Sequence, residues 1–307
     1  MAFSQGKEST TSGSGVSFKH YVGVGAVKIL AVNPTKDEWN NIMGSNMEKE
    51  IEYTGVTEDG VKTARVTLLV QPDASRTVGN IDAIIPITFW FRLAPIKGQT
   101  SGKYRVIDKY ARTAWVTEEE LKTHAIPQYS NGPADIDKDY RPLVRGEEEF
   151  TNFMRAHLMI SSPRIFNDTT KAWETNPHMD ECEGRLDDIK KIFNGDFSEI
   201  KKILGYQKDN YSKVLFGVRT VDGKERQVFY PGLFLTNKNR KHVNFAKRLK
   251  EDTDRGQYAD TYFGELNPNG ELIVADLHEY EVKPSEFTET ATPAPGVASP
   301  SDNDLPF

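Results

Sequence analysis

The chain has 307 residues, of which 37% are hydrophobic and 27% charged, with a formal net charge of −6. That composition supports a packed core in one large domain or two small ones. No stretch approaches the roughly 18 apolar residues that span a bilayer, Met1–Gly15 is Ser-, Thr- and Gly-rich with no apolar h-region, and the single cysteine, Cys182, cannot form an internal disulfide. These features exclude a membrane-spanning helix and a secretion signal, and they fit a reducing cytoplasm.

In chain order, residues 1–18 read as a flexible lead-in, because Gly and Ser bury too little surface to offset their ordering entropy. Tyr21–Val32 is a nearly continuous apolar run, which predicts a strand buried on both faces. Asn33-Pro34 stops it, and Thr35 with Glu38 forms a capping-box pattern opening a short helix that ends near Gly44. Val61–Val70 alternates, with Ala64, Val66, Leu68 and Val70 on one face and Thr63, Arg65 and Thr67 on the other. Ile81–Leu93 alternates further, placing Ile81, Ala83, Ile85, Ile87, Phe89, Phe91 and Leu93 on one apolar face and Thr88, Trp90 and Arg92 outward. Tyr104–Val116 predicts another strand or a tight hairpin bending at Asp108-Lys109.

Glu118–Arg145 reads as loops. Glu147–Ile160 has helical spacing, with Phe150, Phe153, Met154 and Leu158 on one stripe and three acids at the favourable N-terminal end. Leu186–Leu204 predicts two short helices separated by Gly195-Asp196 and ended by Gly205. Val214–Phe234 returns to a β pattern around an Asp222-Gly223 hairpin turn. Arg240–Lys250 is a basic helix candidate and Glu271–Val282 a last strand. The expected fold is mainly β with helical insertions (α+β). An OB-like core at residues 19–146 is resumed at 206–283, a helical insertion occupies 147–205, and a disordered acidic tail follows at 284–307.

The net charge hides an uneven distribution. Pro86–Val116 carries six cations against Asp108 alone, and Lys201–Arg248 carries twelve against three acids. Pro284–Phe307 has four acids and no Lys or Arg. Blocks of opposite sign point to separate surfaces for separate partners. In the first basic block the cations Arg92, Lys97, Lys103, Arg105, Lys109 and Arg112 alternate with Trp90, Tyr104, Tyr110 and Trp115. Single-stranded DNA needs this mixture, because its bases present π-faces and its phosphates attract cations. Phe89 and Phe91 are expected in the core and Trp90 on a stacking face, while Tyr104, Tyr110 and Trp115 suit either place. Arg65 joins the outward set by strand parity. In the second block Lys213, Arg219, Arg226, Lys238, Arg240 and Lys241 suit phosphate tracking, with ordinary surface charge as the plainer account of any one of them. The DNA reading requires Trp90, Tyr104, Arg105 and Arg112 to share one positive face.

The tail ends in Asp302, Asp304, Leu305, Pro306 and Phe307. A tethered aromatic ring beside a free carboxylate offers a partner both an apolar anchor and a charge. This tip resembles that of bacterial single-stranded DNA-binding proteins. The segments beginning at Tyr21, Lys103 and Tyr140 resemble single-stranded DNA-binding proteins of tailed bacteriophages. The resemblance implies an OB-type core, a role in DNA replication, recombination or repair in a host cytoplasm, and recruitment of partner proteins through the tip, with self-association left open.

No dinucleotide fingerprint or P-loop pattern occurs. His178 and Cys182 share helical spacing, but two ligands make no zinc site. No cofactor, metal or catalytic residue is assigned. Two rival readings remain: a Mg²⁺-dependent nucleic-acid enzyme using acids between Asp180 and Asp188, and a phage structural or assembly protein.

Overall fold

The computed structural model describes residues 19–126, 136–158, 164–175, 186–205, 211–231, 245–265 and 276–281. Its strands are β1 (Tyr21–Val32), β2 (Thr54–Val56), β3 (Lys62–Pro72), β4 (Ile85–Pro95), β5 (Tyr104–Ile107), β6 (Thr113–Val116), β7 (Arg141–Pro142) and β8 (Val144–Arg145), followed by β9 (Arg164–Asn167), β10 (Ala172–Thr175), β11 (Ser212–Val221), β12 (Lys224–Phe229), β13 (Thr261–Tyr262) and β14 (His278–Glu279). The α-helices are α1 (Lys36–Met43), α2 (Glu118–Thr123), α3 (Glu147–His157), α4 (Ser198–Gly205) and α5 (Phe245–Asp254), with a 3₁₀ helix at Ile189–Asn194.

The main sheet runs β12-β11-β1-β3-β4-β8, with β13 beside β11, β14 beside β1 and β2 beside β3. Its register pairs are antiparallel. A three-stranded sheet, β6-β5-β7, and a separate β9–β10 hairpin complete the β structure. The protein is thus mainly β, with one large antiparallel sheet and several helices.

Alternation in β3 and β4 decides which side of the main sheet is buried. Ala64, Val66, Leu68 and Val70 stand opposite Phe91, Phe89, Ile87 and Ile85, and all eight are buried. Helix α3 lays Phe150, Phe153 and Met154 onto this face, and Ile189, Ile192, Ile200 and Ile203 from the next two helices join the same core. Phe89 lies at the centre, its ring 5.1 Å from Phe150, 5.3 Å from Phe153 and 5.2 Å from Phe229. Phe229 belongs to β12, at the far end of the strand order, so the sheet curls until its two sides meet through these rings.

Local chemistry sets the element ends. Thr35 and Glu38 form the capping box of α1, and Gly44 closes that helix at φ 64°. Asp222 and Gly223 adopt φ 52° and 70°, the left-handed pair that a two-residue hairpin requires. Two sequence expectations change. Strand β4 begins at Ile85, not Ile81, because the preceding segment spends its backbone on another partner: Leu277 N donates to Val78 O and Asn80 N donates to Leu277 O. A side chain on Gly79 would place Cβ 1.9 Å from that Leu277 carbonyl oxygen. The loop expected over Glu118–Arg145 contains α2, whose N-terminus is a second capping box of Thr117 and Glu120. The basic helix expected over Arg240–Lys250 appears as Phe245–Asp254, where Lys247, Arg248 and Lys250 are balanced by Glu251, Asp252 and Asp254, and residues 240–244 lie outside the described residues. Of the last strand, His278–Glu279 pairs with β1, while Asp276 and Leu277 bridge to Val24 and Gly79.

Two outcomes test this core. Phe89→Ala should lower unfolding free energy by about 3–5 kcal/mol in denaturant titration, the range for removing a buried aromatic ring. His157 is buried at the end of α3, and burial pushes its imidazole down to about 4 from an ordinary 6.5. The folded state therefore prefers the neutral ring, so stability present above pH 6.5 should decline as pH falls toward 4. That contribution is on the order of 2–3 kcal/mol. His157→Leu should show a shallower decline over the same range.

Candidate nucleic-acid interface

The outward face of β3 and β4 carries side chains that alternation excludes from the core. Arg65 stands opposite Trp90, Thr67 opposite Thr88, and Thr63 opposite Arg92. Trp90 is 36% exposed. The Arg65 guanidinium carbon lies 5.5 Å from the centre of the Trp90 ring and 5.5 Å from that of Tyr53, so it sits against both. Its Nε donates to the Glu52 carbonyl at 2.7 Å, while the Tyr53 hydroxyl donates to the Pro34 carbonyl at 2.6 Å. Burial lowers the Arg65 pKa, but guanidinium stays charged in any protein environment. Arg65 therefore fixes the orientation of Trp90 as a cation–π partner, a contact worth about 0.5–1 kcal/mol at an exposed site.

Beyond Trp90, Arg92 is in register with Arg145 of β8. Arg92 Nη2 donates to Asp59, which sits on the turn joining β2 to β3. The Thr57 hydroxyl bonded to Asp59 is the largest influence lowering the pKa of that carboxyl. Gly146, at φ 86°, follows Arg145 so closely against β4 that a Cβ there would lie 1.8 Å from the Trp90 carbonyl oxygen. Only glycine fits, and this contact locks Arg145 beside β4.

A second aromatic–cation pair stands on the small sheet. Arg105 and Trp115 are register partners on β5 and β6. The Arg105 guanidinium carbon lies 5.3 Å from the centre of the Trp115 ring, and Trp115 is 39% exposed. Arg105 also donates to the Thr113 hydroxyl at 2.9 Å and to Glu148 at 2.8 Å. Tyr104 does not share this surface. Consecutive strand residues point to opposite faces, and Tyr104 instead packs on the cluster of Val106, Ala114, Val116 and Tyr140, with Lys97 Nζ 5.0 Å from its ring centre. The expected single face for Trp90, Tyr104, Arg105 and Arg112 is therefore divided. Lys103 is exposed in the turn before β5.

Arg112 is bound inward. The loop between β5 and β6 is built around Asp108, fully buried, which accepts from Tyr110 N at 2.9 Å, Arg112 N at 2.8 Å and Arg112 Nε at 2.6 Å. Tyr110, packed at the margin of the main core, has Lys109 Nζ and the Arg112 guanidinium each 5.1 Å from its ring centre. Lys109 also pairs with Asp137 at 3.3 Å. This loop presents cations around a tyrosine whose ring is only partly available.

Residues Arg145–Glu148 tie the two tryptophan sites together. Arg145 stands by Arg92, Gly146 lies on the Trp90 carbonyl, Glu147 is buried in a bidentate pair with Arg141, and Glu148 holds Arg105 under Trp115. Glu149 comes next. Burial, with the neighbouring Glu148 charge, pushes its carboxyl up to about 7.

The β11–β12 hairpin carries Lys213, Arg219 and Arg226. Arg219 and Arg226 are register partners, and Arg219 Nε donates to Asp260 at 2.7 Å. By strand parity they point away from the core residues Phe216 and Phe229. This is the same side of the sheet as Trp90, at the other end of the strand order. Lys238, Arg240 and Lys241 lie outside the described residues, as do the tail residues Asp302, Asp304, Leu305, Pro306 and Phe307, the lead-in before Lys19, and Asp180, His178 and Cys182. Among the described residues no group of three or more His, Cys, Asp or Glu could hold a metal ion, and no helix is long and apolar enough to cross a membrane.

Sequence reasoning missed Arg145, Tyr53, Asp59 and Glu148. The first follows an apolar Val144 in a stretch read as loop, and two-residue strands leave no periodic trace. Tyr53 and Asp59 reach the face from the residue before the short strand β2 and from the turn after it.

Glu149 supplies a titration test. Its folded pKa lies above the ordinary 4.5, so folding takes up a proton and stability is greatest below pH 4.5, falling as pH rises through 7. Glu149→Gln should therefore match the parent near pH 4.5 and exceed it above pH 7 by about 2–3 kcal/mol in denaturant titration.

No family model, curated protein or solved structure matches this chain.

Proposed function

We propose that the protein binds single-stranded DNA without catalysing a reaction on it, coating the strand largely without sequence preference. The observation that carries this reading is the pair of exposed indoles, Trp90 and Trp115, each set under an arginine and joined through Arg145–Glu148. Indole faces stack on any base, and each such contact is worth about 1–3 kcal/mol. Arginines alongside supply phosphate attraction that is strongest at low salt. Lys103, Lys109 and the β11–β12 cations extend the positive surface, while Lys97 lies with Tyr104 on the other side. The single face first required of Trp90, Tyr104, Arg105 and Arg112 is not formed, because Tyr104 packs on the opposite side of its strand and Arg112 is bound inward by Asp108; the reading rests instead on the two arginine-backed indoles.

An OB-type barrel is the finer reading of the core. The antiparallel strand order, the curl that brings Phe89 to Phe229 and the seating of α3 in the curl support it. The acidic tip, which resembles that of bacterial single-stranded DNA-binding proteins, would recruit replication, recombination or repair proteins in a host bacterial cytoplasm. Its sequence provides the means: acids before Leu305-Pro306-Phe307 on a Pro-rich tether.

Titration of fluorescent oligo(dT), matched duplex and RNA at two salt concentrations tests the function. Single strands should bind more tightly than duplex, and affinity should fall steeply with salt. Trp90→Ala and Trp115→Ala should each weaken oligo(dT) binding by about tenfold to a hundredfold, with melting temperature nearly unchanged. Equal affinity for duplex, or no loss in either variant, would contradict the reading. Deleting Ser301–Phe307 should leave oligo(dT) affinity unchanged or raised while abolishing capture of replication proteins, and a weaker DNA complex would count against a tail dedicated to partners.

A further inference from the structure

We propose that Arg92 and Arg145 form a two-arginine subsite for one backbone phosphodiester beside Trp90, and that Asp59 occupies this subsite when no nucleic acid is bound. The proposal deepens the reading of the same face given above and rests on it.

The geometry begins with register. Arg92 and Arg145 face each other across an antiparallel pair, which brings their Cβ atoms to about 4.5–5.5 Å. Like charges so placed repel each other, and an ordinary sheet avoids the arrangement. Here it is enforced by the backbone, because Gly146 pins the chain against the Trp90 carbonyl. Arg145 is exposed, and its side chain has no hydrogen-bond or ion-pair partner among the described residues. Arg92 is one-third exposed, and its Nε is buried with no hydrogen-bond partner among the described residues, although Nη2 engages Asp59. Two guanidinium forks with donors to spare match the oxygens of a phosphodiester, which accepts from both at once.

Asp59 has the features of a placeholder. It lies on an exposed turn, its side chain is 59% exposed, and it neutralises only one of the two arginines. The Thr57 hydroxyl holds the carboxylate in place across the gap to β4. A phosphate arriving with a base stacked on Trp90, two residues earlier on the same face, would displace Asp59 and satisfy both cations. Release of Asp59 leaves the core untouched, because the turn is outside it.

The test uses the full chain and fluorescent oligo(dT) across a salt series, with thermal melts to verify folding. Arg145→Ala should lower affinity by about tenfold at moderate salt and reduce the slope of log K against log salt by about one. Asp59→Asn should do the opposite, raising affinity about threefold because the competing charge is gone while the turn keeps its shape. In Arg145→Ala/Asp59→Asn the gain from removing Asp59 should shrink, since one arginine remains to bind the phosphate. If the parent chain binds oligo(dT) and both single variants match it in affinity and slope, the subsite is overturned while DNA binding stands. Weaker binding by a folded Asp59→Asn would show that Asp59 positions Arg92 for DNA and would overturn the placeholder role. If the parent chain itself fails to bind, the functional reading falls and the subsite with it.

Discussion

The architecture depends on sealing the inner face of β4 at Phe89. This ring meets α3 on one side and β12 on the other, so the same contact curls the sheet and seats the helix. Strand geometry then leaves no freedom over what the opposite side presents. With Phe89 and Phe91 committed inward, Trp90 and Arg92 must point outward. The outward placement of the indole is a direct result of the burial of its neighbours.

Electrostatics on that side follow a repeated scheme. Arg92, Arg105 and Arg219 each face one carboxylate, from a turn, from the first turn of a helix and from the segment before β13. Each pair is partly exposed, so its net contribution to stability is about 0–1 kcal/mol. What these pairs provide is direction: an arginine held by one carboxylate keeps its guanidinium at a fixed place on the surface. Asp108 shows the contrasting case. Fully buried, and accepting from the backbone amides of Tyr110, Arg112 and Asp137 as well as the Arg112 side chain, it is the scaffold of its loop.

Much of this was legible in the sequence because the signals were local. Alternation in β3 and β4, the Thr35 capping box, the stripe of α3 and the Asp222-Gly223 turn each depend on residues within a few positions of one another. What alternation also implied was that Tyr104 and Arg105 could not share a face, since neighbours on a strand never do. The rest required contacts between distant segments. Pairing of Leu277 with residues 78–80 delays the start of β4, and the seat of Arg145 beside Arg92 depends on a two-residue strand joined to β4. Such pairings have no period and no composition of their own. Helix α2 is a different case: Thr117 and Glu120 carried the same cap pattern as Thr35 and Glu38, in a stretch whose lack of an apolar stripe made it look like loop.

The ends of the main sheet bear on how copies of the chain can meet. One terminal strand, β8, is two residues long and carries Arg145. The other, β12, displays Lys224 and Arg226. Short or cationic borders offer a neighbour little backbone on which to extend the ladder, and they repel a second copy of themselves. Copies of the chain that meet would therefore do so through side chains or through segments beyond the sheet, with no continuous ladder running from copy to copy.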